Sequence, residues 1–280
     1  MRNINGAVAI VTGAGAGIGR AIALQLASHG AQLALADLNE QGLLETQELL
    51  GGRVESRRYV VDVADAPAVE EFAGKVECDF KRASILVNNA GVTLIGNFKE
   101  VSLAELEWLV KINFWGVVHG CKFFLPLLGR EPEAHIVNMS SLSGLMGFGG
   151  QTHYCASKFA IRGFSEALRE ELLETGIKVT SVYPSHIRTG IASKARVAAS
   201  ADAGQAAAAK KLFSQLNLLS PERAAQEVVQ AIVRDKSRLL IGTDARAIDF
   251  LQRLLPSKAN SIVTAMIRMT IKRLSSASAT

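Results

Sequence analysis

The 280-residue chain carries only three cysteines, Cys78, Cys121 and Cys155, set far apart in the sequence. Without a CxxC pair it has neither a disulfide framework nor a zinc-ligand spacing, so no metal site is expected and a reducing, cytoplasmic compartment fits best. Long apolar runs are also missing. A spanning helix needs about 18 to 20 consecutive apolar residues, and no stretch reaches that. The first apolar run, Ala7 to Val11, is too short for a signal-peptide core and runs straight into a glycine turn. The 24 glycines show no three-residue period, which excludes a collagen-like chain. Charge of either sign is modest. Against 26 Asp and Glu stand 31 Lys and Arg, a net +5 with no basic cluster ahead of the C-terminus, so nucleic acid is not an expected partner. Apolar residues at 49% and charged residues at 20% exclude a disordered chain.

What is present is alternation. Short apolar runs at Ala7 to Val11, Gln32 to Ala36, Val60-Val61, Ser84 to Val87, His135 to Asn138, Lys178 to Tyr183 and Leu239 to Ile241 read as strands buried on both faces. Between them lie segments of helical spacing: Ile18 to Ser28, Leu43 to Leu50, Ala68 to Phe80, one long stretch from Leu103 to Leu128 stopped by Pro126 and Gly129, Tyr154 to Glu174, and Pro221 to Val233. Strand and helix alternating without an internal repeat predict an α/β fold: a doubly wound parallel sheet of about seven strands with helices on both faces, of the Rossmann type. No linker splits it, so residues 1–280 are expected to form a single dinucleotide-binding and catalytic domain.

Thr12-Gly13-Ala14-Gly15-Ala16-Gly17-Ile18-Gly19 lies between the first strand and the first helix. Glycine permits the tight turn and lets a pyrophosphate approach the backbone, while the N–H groups of the helix start face the phosphates. The run lacks the Lys-Ser/Thr ending of a nucleotide-triphosphate loop, which disfavours ATP. Asp37 ends the second strand. A carboxylate there accepts hydrogen bonds from the adenosine ribose hydroxyls and repels a 2′-phosphate, so NAD is the expected cofactor rather than NADP. Neither Ala36 nor Leu38 supplies a cation to reverse that preference.

Tyr154 and Lys158 sit at i and i+4, on one face of a predicted helix. An unperturbed tyrosine titrates near pH 10, and acid/base work near neutrality needs a shift of roughly 3 units, about 4 kcal/mol. A neighbouring ammonium favours the phenolate. TGxxxGxG, Asp62-Val63, Asn88-Asn89-Ala90-Gly91, Asn113, Ser141, Tyr154 and Lys158 occur together in an order that resembles the typical single-domain branch of the short-chain dehydrogenase/reductases, over about residues 5 to 245. The resemblance implies a catalytic set of Asn113, Ser141, Tyr154 and Lys158. Tyr154 is then the proton donor or acceptor, and Lys158 lowers its pKa and binds the nicotinamide ribose. Ser141 holds the substrate oxygen, with Ser140 as its rival, and Asn113 holds a water in a proton relay. For the cofactor it implies Gly13, Ala16, Gly17, Ile18, Gly19 and Asp37, with Asp62 and Val63 at the adenine. Asn89, Ala90 and Gly91 then line the ribose and nicotinamide side, and Ile187 and Thr189 hold the carboxamide. One departure stands out: the family usually has Pro-Gly after the sixth strand, and this chain has Pro184-Ser185.

The segments the family uses as pocket walls, Leu142 to His153 and Val92 to Ile95, are largely apolar, with Leu145, Met146 and Phe148 as expected lining and Gln151 and His153 as polar groups. A structural His153 and an inert Cys155 are the favoured readings. Residues 185–220 are expected to form a substrate lid. The reading is an NAD(H)-dependent oxidoreductase acting on an apolar secondary alcohol or ketone. A dinucleotide-sensing regulator is the alternative, disfavoured by the intact Ser–Tyr–Lys set, and a nucleotide-sugar epimerase is disfavoured by the glycine spacing. By resemblance a homodimer or homotetramer is expected, through the Leu103 to Leu128 and Tyr154 to Glu174 helices, the first rich in aromatics (Trp108, Phe114, Trp115, Phe123, Phe124). Residues 244–280 are expected to form a helical C-terminal extension, Asp244 to Leu255 and Asn260 to Leu274. Docking on the protein itself is favoured there over contact with a membrane surface.

Overall fold

The structure is a computed structural model that describes residues 1, 3–190, 195–201, 204, 219–266 and 269. The apolar strand runs become β1 (Val8–Thr12), β2 (Gln32–Asp37), β3 (Ser56–Val60), β4 (Ile85–Asn88), β6 (Ala134–Met139), β7 (Ile177–Pro184) and β9 (Arg238–Ile241). They form one sheet in the order β3-β2-β1-β4-β6-β7-β9, every neighbouring pair parallel. Alternation along β1 sends Ala9 and Val11 to one face and Val8 and Ile10 to the other. Both faces of the inner strands are covered, which is why they read as continuous apolar runs; the edge strand β3 is largely exposed and runs over Ser56–Val60 rather than the expected Val60-Val61, because its Ser-Arg-Arg start carries no apolar signal.

One face is covered by α1 (Gly17–Ser28), α2 (Glu40–Leu50) and α7 (Pro221–Val233); the other by α3 (Ala66–Phe80), α5 (Gly116–Leu128) and α6 (Thr152–Glu171). Local chemistry starts several of these. Ser102 and Glu105 form a reciprocal capping box on α4 (Leu103–Val110), and Ser220 caps α7 ahead of a proline at its first position. α8 (Thr243–Leu254) follows β9, and residues 259–266 are helical after it.

Two differences from the sequence reading matter for the site. The stretch expected as one helix is continuous but interrupted: α4 passes through a π-helical turn, Lys111–Trp115, into α5, and Pro126 sits inside the last turn of α5 rather than stopping it. Two short strands, β5 (Leu94–Ile95) and β8 (Arg196–Val197), pair in parallel as a separate ribbon. Lys194, Lys210 and Lys211 of the expected lid, and most of the expected Asn260 to Leu274 helix beyond Met266, lie outside the described residues. Among the described residues no helix is long and apolar enough to cross a membrane.

Candidate active site

Chain order reverses between β1 and β4, so the connections leaving their carboxyl ends diverge and open a crevice there. The glycine turn rises from β1 into this crevice. Gly13 has φ +66°, and at Gly19 a Cβ would stand 2.1 Å from the Gly13 carbonyl oxygen, so neither position admits a side chain without moving the turn. Ala16 caps α1 without a side-chain hydrogen bond, and the first turn holds no acid. The N–H groups of that turn are thus left for an anion. Asp37 accepts from the Gly15 N–H and the Asn39 N–H, both at 2.9 Å, one on each carboxylate oxygen. Half of its acceptor capacity remains.

Two residues that the sequence reading gave no role hold this turn. Arg20 donates to Thr46 Oγ1 at 3.0 Å, to the Gly42 carbonyl at 3.2 Å and to Glu45 at 2.7 Å, and also reaches the Gly15 carbonyl. Thr12 Oγ1 accepts from the N–H groups of Asn89 and Ala90 at 3.0 and 3.1 Å, and Asn89 Nδ2 returns to the Thr12 carbonyl at 3.0 Å. The glycine turn and the Asn-Asn-Ala-Gly turn are therefore one unit. Behind it Asn88 bonds Asn138 at 2.8 Å and Asn138 bonds Ser165 at 2.9 Å, a buried chain tying β4, β6 and α6 together.

Asp62 lies exposed beyond β3 and accepts from the Ala64 N–H, while Val63 is buried against Gly116. The Thr189 methyl stands 3.3 Å from where a Gly17 Cβ would be, which brings the loop after β7 onto the glycine turn, and Ile187 in the same loop bridges to Leu219. The Ser185 departure has a partner. A Cβ at Gly242, φ +105°, would come within 3.0 Å of Ser185 Cβ, so glycine at 242 makes room for serine at 185. Ser185 Oγ donates to Asp244, which His186 also meets at 3.2 Å. Burial opposes the charge on Asp244, but these bonds outweigh it and hold the carboxyl at about 2.

The proposed catalytic side chains converge between β6 and α6. Ser140 spends its hydroxyl on the Lys158 carbonyl at 2.8 Å, whereas Ser141 Oγ accepts from the Ser143 N–H at 3.1 Å and acts on the Tyr154 phenol, favouring its ionised form. This distinguishes the two serines. Lys158 is 4% exposed, and its Nζ donates to the Met139 carbonyl at 3.0 Å. It stands 5.6 Å from the Tyr154 ring centroid. Burial lowers its pKa to about 8. Burial likewise pushes Tyr154 up to about 12 against the pull of the Ser141 hydrogen bond. In the protein alone, desolvation of the phenolate dominates.

Asn113, fully buried, sits in the π turn. Its Oδ1 accepts from the Val92 N–H at 2.8 Å, and its Nδ2 donates to the Val92 carbonyl at 3.0 Å and to Ser157 at 3.2 Å. Both amide hydrogens are used by the protein, so the side chain anchors the loop after β4.

The expected walls divide. Leu145 and Met146 are buried, Leu145 in a cluster with Tyr183 and Ala245, while Phe148 packs at that cluster's edge. Tyr154 instead packs against an apolar cluster of Leu94, Leu109 and Ala198 with Val92 and Trp108 at its margin. His153 is buried and donates from Nε2 to the Leu94 carbonyl at 2.7 Å, which fixes β5 to α6, and Cys155 is buried. Arg196 stacks 3.9 Å from the Trp108 ring centroid.

A family model described as short chain dehydrogenase matches residues 7–200. The chain belongs to the short-chain dehydrogenase/reductase family. Within that family it is 42% identical over 270 residues to the Mycobacterium tuberculosis protein SadH, an oxidoreductase by name, covering 95% of this chain and 96% of SadH. Epidermal retinol dehydrogenase 2 of Mus musculus is 33% identical over 267 residues, 94% of this chain and 82% of that one. A short-chain dehydrogenase/reductase from Burkholderia phymatum, solved in complex with NAD, superposes with a TM-score of 0.83 at 29% identity, covering 90% of this chain and 95% of that one. The protein is an oxidoreductase of the short-chain dehydrogenase/reductase family.

Proposed function

We propose that this protein is an NAD(H)-dependent oxidoreductase that transfers hydride between the nicotinamide and a secondary alcohol or ketone of an apolar substrate. The observation that carries the reading is the convergence of Ser141, Tyr154 and Lys158 beside the glycine turn. The residues fit a dinucleotide. The uncapped start of α1 suits a pyrophosphate, and the spare acceptors of Asp37 suit ribose hydroxyls. Lys158 is a buried ammonium with three donors and one acceptor among the described residues, which leaves it donors for the nicotinamide ribose. Asp62, Val63, Asn89, Ala90 and Gly91, with Ile187 and Thr189, complete the proposed cofactor contacts.

The bound dinucleotide supplies or accepts the hydride. In the reductive direction the Tyr154 phenol gives its proton to the carbonyl oxygen as that oxygen gains charge, and in oxidation the phenolate takes it back. The Ser141 hydroxyl donates to the same oxygen and fixes its distance from Tyr154. Lys158 places positive charge beside the phenol, which favours its ionised form. The apolar cluster around Tyr154 supports an apolar substrate and excludes water from the proton transfer.

We also propose a homo-oligomer formed through α4, α5 and α6. Of the aromatics expected to face a partner, Phe124 is core and Trp108 is stacked under Arg196, but Trp115 is 47% exposed alongside Leu103 on α4 and Phe159 on α6. A soluble protein without membrane contact through these helices fits a cytoplasmic location. Following NADH absorbance with a panel of hydrophobic alcohols and ketones tests the activity: turnover of some member supports it, and no turnover across the panel by a protein that binds NADH speaks for the dinucleotide-sensing alternative.

A further inference from the structure

Tyr154 is placed where a helix is least secure. It is the third residue of α6, and Gln151, at the cap of that helix, makes no side-chain hydrogen bond to the first turn. The first N–H groups of a helix have no partner within it, and a turn without a cap frays. The loop leading in, Gly147-Phe148-Gly149-Gly150, adds little support, since Gly147 and Gly149 are exposed and have no side chain to pack. What fastens the turn is the residue beside the tyrosine. His153 is 1% exposed, and its Nε2 donates to the Leu94 carbonyl at 2.7 Å. Its other ring nitrogen, Nδ1, is buried with no partner among the described residues, so the ring serves this one bond. Leu94 belongs to β5 and is buried in the apolar cluster against which Tyr154 packs. β5 is itself held. It pairs with β8, the Ala198 N–H donates to the Ile95 carbonyl at 2.8 Å, and the Ala199 N–H donates to Glu105 on α4 at 3.0 Å.

We propose that His153 is a positioning residue: its bond to the Leu94 carbonyl holds the first turn of α6 against β5 and so keeps the Tyr154 phenol in register with Ser141 and Lys158. The role rests on the proposed chemistry of Tyr154. The other two groups have anchors of their own. Lys158 lies a turn further into α6 and donates to the Met139 carbonyl at 3.0 Å, and Ser141 Oγ accepts from the Ser143 N–H at 3.1 Å. Tyr154 alone of the three depends on the helix start for the position of its backbone. A proton donor must come within about 2.6–3.2 Å of the atom it serves, so a turn that opens takes the phenol out of reach. The glycine turn and Asp37 belong to other elements and are untouched by that opening. Loss of the His153 bond therefore slows turnover and leaves dinucleotide binding as it is.

The test compares two substitutions in the full chain. His153→Leu fills the space without a donor, and His153→Gln places an amide N–H where Nε2 stood. On the best ketone of the hydrophobic panel, His153→Leu is expected to lose about tenfold in kcat with NADH affinity unchanged, and His153→Gln to recover to within about threefold of wild type. Hydrogen exchange supplies a readout that needs no substrate. In His153→Leu the amides of Cys155, Ala156 and Ser157 are expected to exchange about tenfold faster while those of β6 keep their protection, and His153→Gln restores the first set. Where His153→Leu does not fold, His153→Asn, polar but too short to reach Leu94, takes its place. The proposal is overturned if the donor-free variant keeps kcat within about twofold of an active wild type, if its exchange is unaltered, or if His153→Gln is as slow as His153→Leu, which would assign the loss to packing of the ring. A wild type that reduces no ketone fails the reading of Tyr154 instead, and exchange still decides whether His153 holds the turn.

Discussion

Lys158 Nζ donates to the Met139 carbonyl at 3.0 Å while standing 5.6 Å from the centroid of the Tyr154 ring. The carbonyl at the end of β6 thereby fixes an ammonium whose burial lowers its pKa to about 8, next to a phenol that burial raises to about 12. Lys158→Met removes both the charge beside Tyr154 and the donors available to the ribose. Turnover and NADH affinity are expected to fall together, read by initial rates and by quenching of protein fluorescence. Loss of turnover with unchanged NADH affinity would confine Lys158 to the proton.

Asp37 bears on cofactor choice. Asp37→Ser keeps a short acceptor for the Gly15 N–H but loses the charge. The loss of charged hydrogen bonds is worth about 1.5–3 kcal/mol, so kcat/KM for NAD(H) is expected to drop about ten- to a hundredfold while that for NADP(H) holds or rises. Steady-state kinetics with both cofactors decides it, and a wild-type protein that prefers NADP would contradict the role of Asp37.

The Ser185–Asp244 bond ties the loop carrying Ile187 and Thr189 to the start of α8. Asp244→Ala is expected to raise KM for NAD(H) by up to about tenfold with kcat within about twofold, because the loop loses an anchor and the proton-transfer groups stay in place. A drop in kcat with unchanged KM would show that the anchor serves the chemistry instead.

These relationships differ in how far the sequence reveals them. Strand ends and the glycine turn are legible because backbone geometry there restricts residue type, as at Gly13 and Gly19. The π turn is not. One added residue per turn leaves the apolar spacing of Leu103 to Leu128 almost unchanged, and only the packing of Asn113 against Val92 reveals it. Apolar residues between Ser141 and Tyr154 announce burial without saying against what, so Leu145 and Met146 read as pocket and are core. Ser185 reads as a departure because its compensation, Gly242, is remote in sequence. β5 and β8 are two residues each, too short for any period.

Stability should also respond to acid through His135, far from the site. It is fully buried on β6, donates from Nε2 to Thr180 Oγ1 at 2.7 Å, and has its pKa lowered to about 4, first by burial and then by the N-terminal ammonium. The folded state keeps it neutral while the unfolded chain takes up a proton below about pH 6.5. Its contribution is therefore complete above pH 6.5 and is lost as pH falls toward 4, by up to about 3 kcal/mol. Urea unfolding at pH 7.5 and 4.5 is expected to show a steeper acid loss for the wild type than for His135→Gln. Equal losses would mean that His135 is protonated within the fold.

In the proposed reaction Tyr154 moves the proton of an NAD(H)-linked carbonyl reduction. Tyr154→Phe keeps the ring and its packing but has no proton to give. The decisive measurement is the rate of NADH consumption by wild type and Tyr154→Phe on the best ketone of the hydrophobic panel, with NADH affinity measured in parallel. A fall in kcat of about 10²- to 10⁴-fold with NADH affinity retained is expected. Near-full turnover by Tyr154→Phe would contradict it.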